Sequence, residues 1–176
     1  YWSRGLGDVY KRQQCPHCFT TLKNDYAEMG IELDVVHHSQ YIDELINEKK
    51  IEPKPYLDED ITFHDPCYLG RHNGEYDAPR KVLQSVLKEG SIKEMEQSKS
   101  DSFCCGAGGG NMWYEVKTGE RINQYRVNQA VDTKAKTIAA ACNFCNIMLE
   151  DGVKTTGNEE NIRVVDIAEM VSKGLE

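Results

Sequence analysis

Nowhere does this chain gather its lysines and arginines: 21 basic residues are scattered among 29 acidic ones, leaving a formal charge of -8. Without a basic stripe it cannot neutralise a phosphate backbone, which excludes nucleic acid as a partner. Also missing is any stretch of about 18 apolar residues, the length that crosses a bilayer. No apolar run of the signal-peptide kind opens the sequence as given, so a soluble, cytoplasmic protein is expected. Nucleotide-binding loops are absent as well. The one glycine-rich segment would need glycine at Asn111 to read G-x-G-x-x-G, and a Lys-Ser/Thr pair to read as a P-loop. Finally, seven cysteines, an odd number with two of them adjacent, do not suit a framework of paired disulfides. Reduced thiols available to a metal fit better. The 176 residues suffice for one domain or two small lobes with a real core.

What is there centres on the segment Ser102–Trp113, in which Cys104 and Cys105 are followed by Gly106, Ala107, Gly108, Gly109 and Gly110. Glycine has nothing to bury and weakens any helix or strand it interrupts, so this is not core packing. Thiolates suit a soft metal, and glycines let main-chain N–H groups approach sulfur, so a metal or iron–sulfur site is the first physical reading. The remaining cysteines sharpen it. Residues 68–103 separate Cys67 from Cys104, residues 106–141 separate Cys105 from Cys142, and Cys142 opens a C-x-x-C with Cys145. The pattern C-x36-CC-x36-C-x-x-C is far more specific than a lone C-x-x-C.

Around these cysteines, strands alternate with helices. Residues 1–13 show no period and are expected to be a non-native leader. From Cys15 and Cys18 a helix runs through Phe19, Leu22, Tyr26 and Met29 to Gly30, a strand follows at Ile31–Val36, and Tyr41, Leu45 and Ile46 mark a helix. Ile61, Phe63 and His64 read as a strand that delivers Cys67 to the next turn. Asp77 reads as the N-cap of a helix carrying Val82, Leu83, Val86 and Leu87, and Ile92–Met95 as a short strand. A helix over 119–134 is expected to turn Ile122, Tyr125, Ala130 and Val131 inward. Thr137–Ala141 is a small-residue strand that delivers Cys142. Cys142 and Cys145 then lead into helix, strand and helix, the order already seen from Cys15 to Ile46, so a C-x-x-C/helix/strand/helix unit is duplicated within the chain. The expected fold is α/β, a Rossmann-like and largely parallel sheet with helices. Beyond the leader, 14–60 reads as the tail of a first cysteine-rich repeat and 61–176 as a complete one.

The motif resembles the cysteine-rich CCG domain of heterodisulfide reductase B and D subunits, with relatives among the iron–sulfur subunits of glycolate and lactate oxidases and flavoprotein:menaquinone oxidoreductases. The resemblance rests on His64–Arg71, Ser102–Trp113 and Cys142–Cys145 with Leu149, Glu150 and Asp151, and covers roughly residues 14 to 172. It implies a noncubane [4Fe-4S] cluster on Cys67, Cys104, Cys105, Cys142 and Cys145, with N–H groups of Gly106, Gly108, Gly109 and Gly110 turned to its sulfurs. The implied role is one-electron transfer or disulfide reduction within an oxidoreductase complex, whose flavoprotein, ferredoxin-like or quinone-linked membrane subunit would hold a soluble chain at the periphery of the inner membrane. Four thiolates would equally serve a structural zinc, which makes a zinc-stabilised assembly module the alternative. Cys15 and Cys18 form a second half-site or idle thiols. His64 is a candidate proton donor, against the simpler role of capping its own turn with Asp65. Arg71 and Arg80 either lower cluster charge or are plainly solvated. Trp113 and Tyr114 either cover the cluster or pack in the core, and His37 and His38 end a strand.

Overall fold

The structure, a computed structural model, describes residues 10–116 and 118–176. Every strand pairing among them is parallel, and the fold is α/β as the alternation of elements predicts. Strand β1 (Tyr10–Gln13) pairs with β2 (Asp34–His37), Tyr10 opposite Asp34. A second sheet has the order β3 (Ile61–His64), β4 (Thr137–Ala140), β5 (Arg163–Asp166). Where one sheet was expected, the described residues form two.

The helices are α1 (Pro16–Thr20), extended by a π turn at Thr21–Asp25 and by α2 (Tyr26–Glu28), then α3 (His38–Asn47) and α4 (Cys67–Gly70). After them come α5 (Asp77–Val86), α6 (Ile122–Asp132), α7 (Asn143–Thr155) and α8 (Ile167–Gly174). The central strand β4 shows why this chain layers. All four residues are buried, and they alternate between two cores as strand geometry requires. Ala139, with Ala141 beyond the strand end, joins Phe63, Val82, Leu83, Val86, Ile167 and Met170. Ile138, Ala140 and Cys142 join Val127, Ala130, Cys145 and Leu149. Thus α5 and α8 cover one face while α6 and α7 cover the other, and small residues on β4 let both layers close on the sheet.

The duplication is visible in three dimensions. Strand β1 precedes Cys15 and Cys18 as β4 precedes Cys142 and Cys145, and both units continue through helix, parallel strand and helix. Tyr10–Gln13, which showed no period, is therefore a strand of the first unit; residues 1–9 of the expected leader lie outside the described residues. The equivalent residues His37 and Asp166 cap the helices that close the two units, with acceptor distances of 3.4 Å from the Ser39 N–H and 2.8 Å from the Ala168 N–H. His37 thus ends its strand as read and also caps α3.

Four local expectations need correcting. Asp77 is the first helical residue rather than the cap; the Glu75 carboxylate accepts the Asp77 and Ala78 N–H groups at 3.1 and 2.9 Å. Ile92–Met95 is no strand, since Ile92 makes only a single bridge to Ile61. On α6, Ile122 and Tyr125 are exposed, while Asn123, Arg126, Val127, Gln129 and Ala130 face inward. Ala130 is buried and Val131 partly buried as expected, but polar partners in the interior draw Asn123, Arg126 and Gln129 inward in place of Ile122 and Tyr125. Trp113 and Tyr114 stand out at 84% and 62% exposure, so neither is core.

Candidate metal centre

All five cysteines of the long pattern come together at the carboxyl ends of β3 and β4, where open α/β sheets place their sites. Asp65 and Pro66 follow β3 and set Cys67 as the first residue of α4. Cys142 occupies the N-cap of α7, and Cys145 lies in its first turn. The Cys104–Cys105 loop must be brought to them, and Asp65 does this. Its carboxylate accepts from the Lys99 N–H at 2.8 Å and from both terminal nitrogens of Arg80 at 2.8 and 2.9 Å, while its carbonyl accepts the Ser102 hydroxyl at 3.1 Å. Arg80 is therefore fixed by Asp65 and Glu94 and is not a solvated arginine. Arg71 is exposed.

Each thiol lies close enough to the next to shift its acidity, in the series Cys67–Cys104–Cys105–Cys145–Cys142, and the His17 imidazole acts on Cys142 at its end. None is in a disulfide, and Cys105, Cys142 and Cys145 are buried. Packed this closely, the five cannot all ionise without a cation, and their acidities split accordingly. Donation from Cys105 and then Cys67 drops the Cys104 thiol to about 2, helped by the Gly106 N–H at 3.3 Å from its sulfur. Donation from Cys145 lowers Cys142 to about 5. The donors shift the opposite way: Cys105 rises to about 12 against Cys104, and Cys67 and Cys145 are also raised, chiefly by hydrogen bonds to their neighbours.

Of the glycines singled out, Gly106 is buried and donates to sulfur with φ at 91°. Gly108, Gly109 and Gly110 are exposed on a 3-10 turn instead, beside a hollow of about 360 Å³ lined also by His17, Met112, Trp113 and Phe144. His64 does not cap its turn. It is buried, its Nδ1 accepts from Arg126 Nε at 3.0 Å, and one ring nitrogen shares a cluster with the Cys105 and Cys145 sulfurs, all within 4.8 Å of one another. Burial, and then the Arg126 charge, lower it to about 3, so near neutrality it carries no imidazolium proton.

The first unit reaches this centre through His17 rather than through its thiols. Cys15 is half-buried and Cys18 exposed, and no histidine, carboxylate or further cysteine completes a metal group around them among the described residues. His17 lies against Tyr68 with ring centroids 4.1 Å apart and the rings tilted by 34°, and it meets Phe144 edge-on at 5.7 Å. Neither His17 nor Arg126 was marked as part of the site. A lone arginine on a helix reads as solvated, and only its position beside Val127 and Ala130 on the inward stripe hinted otherwise.

Residues 61–150 match the model of the CCG cysteine-rich domain. Among curated proteins, the chain is 41% identical over 160 residues to a Bacillus subtilis protein named as a probable iron-sulfur-binding oxidoreductase, FadF, covering 91% of this chain and 23% of that protein. It is 43% identical over 169 residues to the EtfAB:quinone oxidoreductase of Syntrophomonas wolfei, covering 92% and 23%. One component of the dihydromethanophenazine:CoB--CoM heterodisulfide reductase of Methanosarcina barkeri is 38% identical over 164 residues, covering 92% and 39%. The chain thus spans less than half the length of these relatives. No helix among the described residues is long and apolar enough to cross a membrane. With the matched segment holding all five thiols of the centre, the chain belongs to the CCG cysteine-rich domain family.

Proposed function

We propose that this chain is an iron–sulfur electron-transfer segment of an oxidoreductase complex, with Cys67, Cys104, Cys105, Cys142 and Cys145 as ligands of a noncubane [4Fe-4S] cluster. One observation carries the reading: five thiols outside any disulfide, from three separate segments, gather at one end of the sheet, with the Cys105 and Cys145 sulfurs within 4.8 Å of each other and the rest close enough to shift one another's acidity. The donor set fits the group. Soft sulfur ligands suit iron–sulfur clusters, a cation removes the mutual repulsion that keeps three of the five protonated, and five thiols exceed the four that zinc or a cubane takes. When bound, the cluster supplies one-electron redox chemistry. The protein's part is to bury three of the sulfurs, to hold the Cys104 sulfur with the Gly106 N–H, and to leave His17 at the Cys142 end beside the hollow.

The names of the relatives support the same class of role. A flavoprotein, a ferredoxin-like protein or a quinone-linked membrane subunit is the proposed partner, and attachment through it would place the chain at the periphery of the membrane. The test is iron, sulfide and zinc content after anaerobic purification, with EPR of the oxidised state, for the natural chain and Cys105→Ser. About four irons per chain with a paramagnetic signal that Cys105→Ser abolishes supports the cluster. About one zinc without sulfide replaces it with a structural zinc module.

A further inference from the structure

Arg126 stands out because its charge has no carboxylate. It is 0% exposed, and all its hydrogen bonds go to neutral acceptors: His64 Nδ1 at 3.0 Å, the Gln97 carbonyl at 2.8 Å, Gln129 Oε1 at 2.7 Å and Ser102 Oγ at 3.2 Å. Among the described residues no carboxylate forms an ion pair with it, and the nearby Asp65 is already committed to Arg80. A guanidinium taken wholly out of water is costly unless a negative charge answers it. Besides Asp65, the negative groups that act on its charge are the sulfurs of Cys145, Cys105 and Cys104. His64 separates Arg126 from Cys105 and Cys145, and Ser102 stands two residues before Cys104.

Resting on the cluster reading above, we infer that Arg126 is the fixed buried counter-charge of the thiolate centre, which favours the more negative, reduced state and so raises its reduction potential. This assigns the task to a residue other than Arg71 or Arg80. Arg126 acts through His64 and through space; it is a positioning and charge-balancing residue and not a ligand. A positive charge in a water-excluded site interacts strongly with a change of one electron nearby, because little solvent screens it.

The experiment compares the natural chain, Arg126→Gln and Arg126→Lys by iron and sulfide content, circular dichroism and an EPR-monitored redox titration. Glutamine keeps a donor for His64 and loses the charge; lysine keeps the charge and loses the planar fork. The expected result is a folded Arg126→Gln whose reduction equilibrium falls at least tenfold, equivalent to about 59 mV for one electron, with Arg126→Lys close to the natural chain. A folded Arg126→Gln that loads no cluster while Arg126→Lys does gives the same support. Equal potentials in all three, or equal shifts or equal cluster loss in both variants, overturn the counter-charge and leave the cluster standing. A natural chain without iron and sulfide overturns the proposed function itself, and this inference with it.

Discussion

Alanine placed at three glycines of one loop separates what the backbone demands from what the sequence merely repeats. Gly106 has φ at 91°, and a Cβ there would lie 3.2 Å from the Ile122 Cβ and 3.4 Å from the Asn123 nitrogen. Gly110 has φ at 77° with nothing within 4 Å, whereas Gly108 has neither a left-handed backbone nor a neighbour. A side chain in the left-handed region costs roughly 1–2 kcal/mol, and crowding a packed position adds about 1–3 kcal/mol. Gly106→Ala should therefore lose roughly 2–5 kcal/mol, for both reasons. Gly110→Ala should lose about 1–2 kcal/mol from backbone strain alone. Gly108→Ala should stay within about 0.5 kcal/mol of the natural chain, as exposed substitutions do. Urea denaturation followed by circular dichroism gives the three values, each with its slope to confirm that the denatured states match. The reasoning fails if Gly108→Ala is as damaging as Gly106→Ala, because the run would then act as a unit and not through individual backbone angles.

The clamp on the cysteine loop gives a second expectation. The Asp65 side chain is 2% exposed and pairs with Arg80 at 2.8 Å, so Asp65→Asn leaves the guanidinium to Glu94 alone and weakens a charge-assisted pair, which should cost about 1.5–3 kcal/mol in the same denaturation experiment. Gly90→Ala would put a Cβ 2.0 Å from the Glu59 carbonyl oxygen, so the backbone must move; a loss of roughly 1–3 kcal/mol in thermal unfolding is expected. Burial, and then the neighbouring His38, lower His37 to about 3 from 6.5. The unfolded chain therefore binds the extra proton first, so the stability from neutral His37 is complete above about pH 6.5 and is lost as pH falls towards 3, with a slope of at most about 1.4 kcal/mol per pH unit. Stability measured from pH 7 to 4 should fall less steeply in His37→Gln; identical slopes would refute the assignment.

Much of this architecture is written in local pattern. Ile61–His64 and Thr137–Ala140 read as strands because short apolar runs bounded by turn signals have few other uses, and their ends place Cys67 and Cys142 without further information. The repeat of C-x-x-C, helix, strand and helix is likewise a property of order alone. Long-range polar chemistry was not legible in the same way. The inward face of α6 carries Asn123, Arg126 and Gln129, which a rule based on apolarity assigns to solvent, because their partners Met148, Gln97 and His64 lie 25, 29 and 62 residues away. The pairing of β1 with β2 was hidden for a related reason. Tyr10–Gln13 has no alternating pattern of its own, and only its parallel register with Asp34–His37 makes it a strand.

The two units also show how one local design yields unequal sites. Both bring a C-x-x-C to the end of a parallel strand, and both close with a capped helix. What differs is the neighbour: Cys145 sits beneath the Cys104–Cys105 loop and is buried, while Cys18 is exposed. The first unit instead contributes structure to the second. Asn73 donates to Thr20 of α1 at 2.8 Å and to the Tyr68 carbonyl of α4 at 2.6 Å, locking the helix that starts at Cys67 against the helix that starts beside Cys15. That contact sets His17 between Tyr68 and Phe144, where the imidazole helps lower the pKa of the Cys142 thiol. The His17 Nδ1 also lies 4.0 Å from the Cys15 sulfur, so the packing of α1 on α4 places the imidazole between the first C-x-x-C and the five-thiol centre. In this chain the first C-x-x-C unit therefore forms one wall of the five-thiol centre.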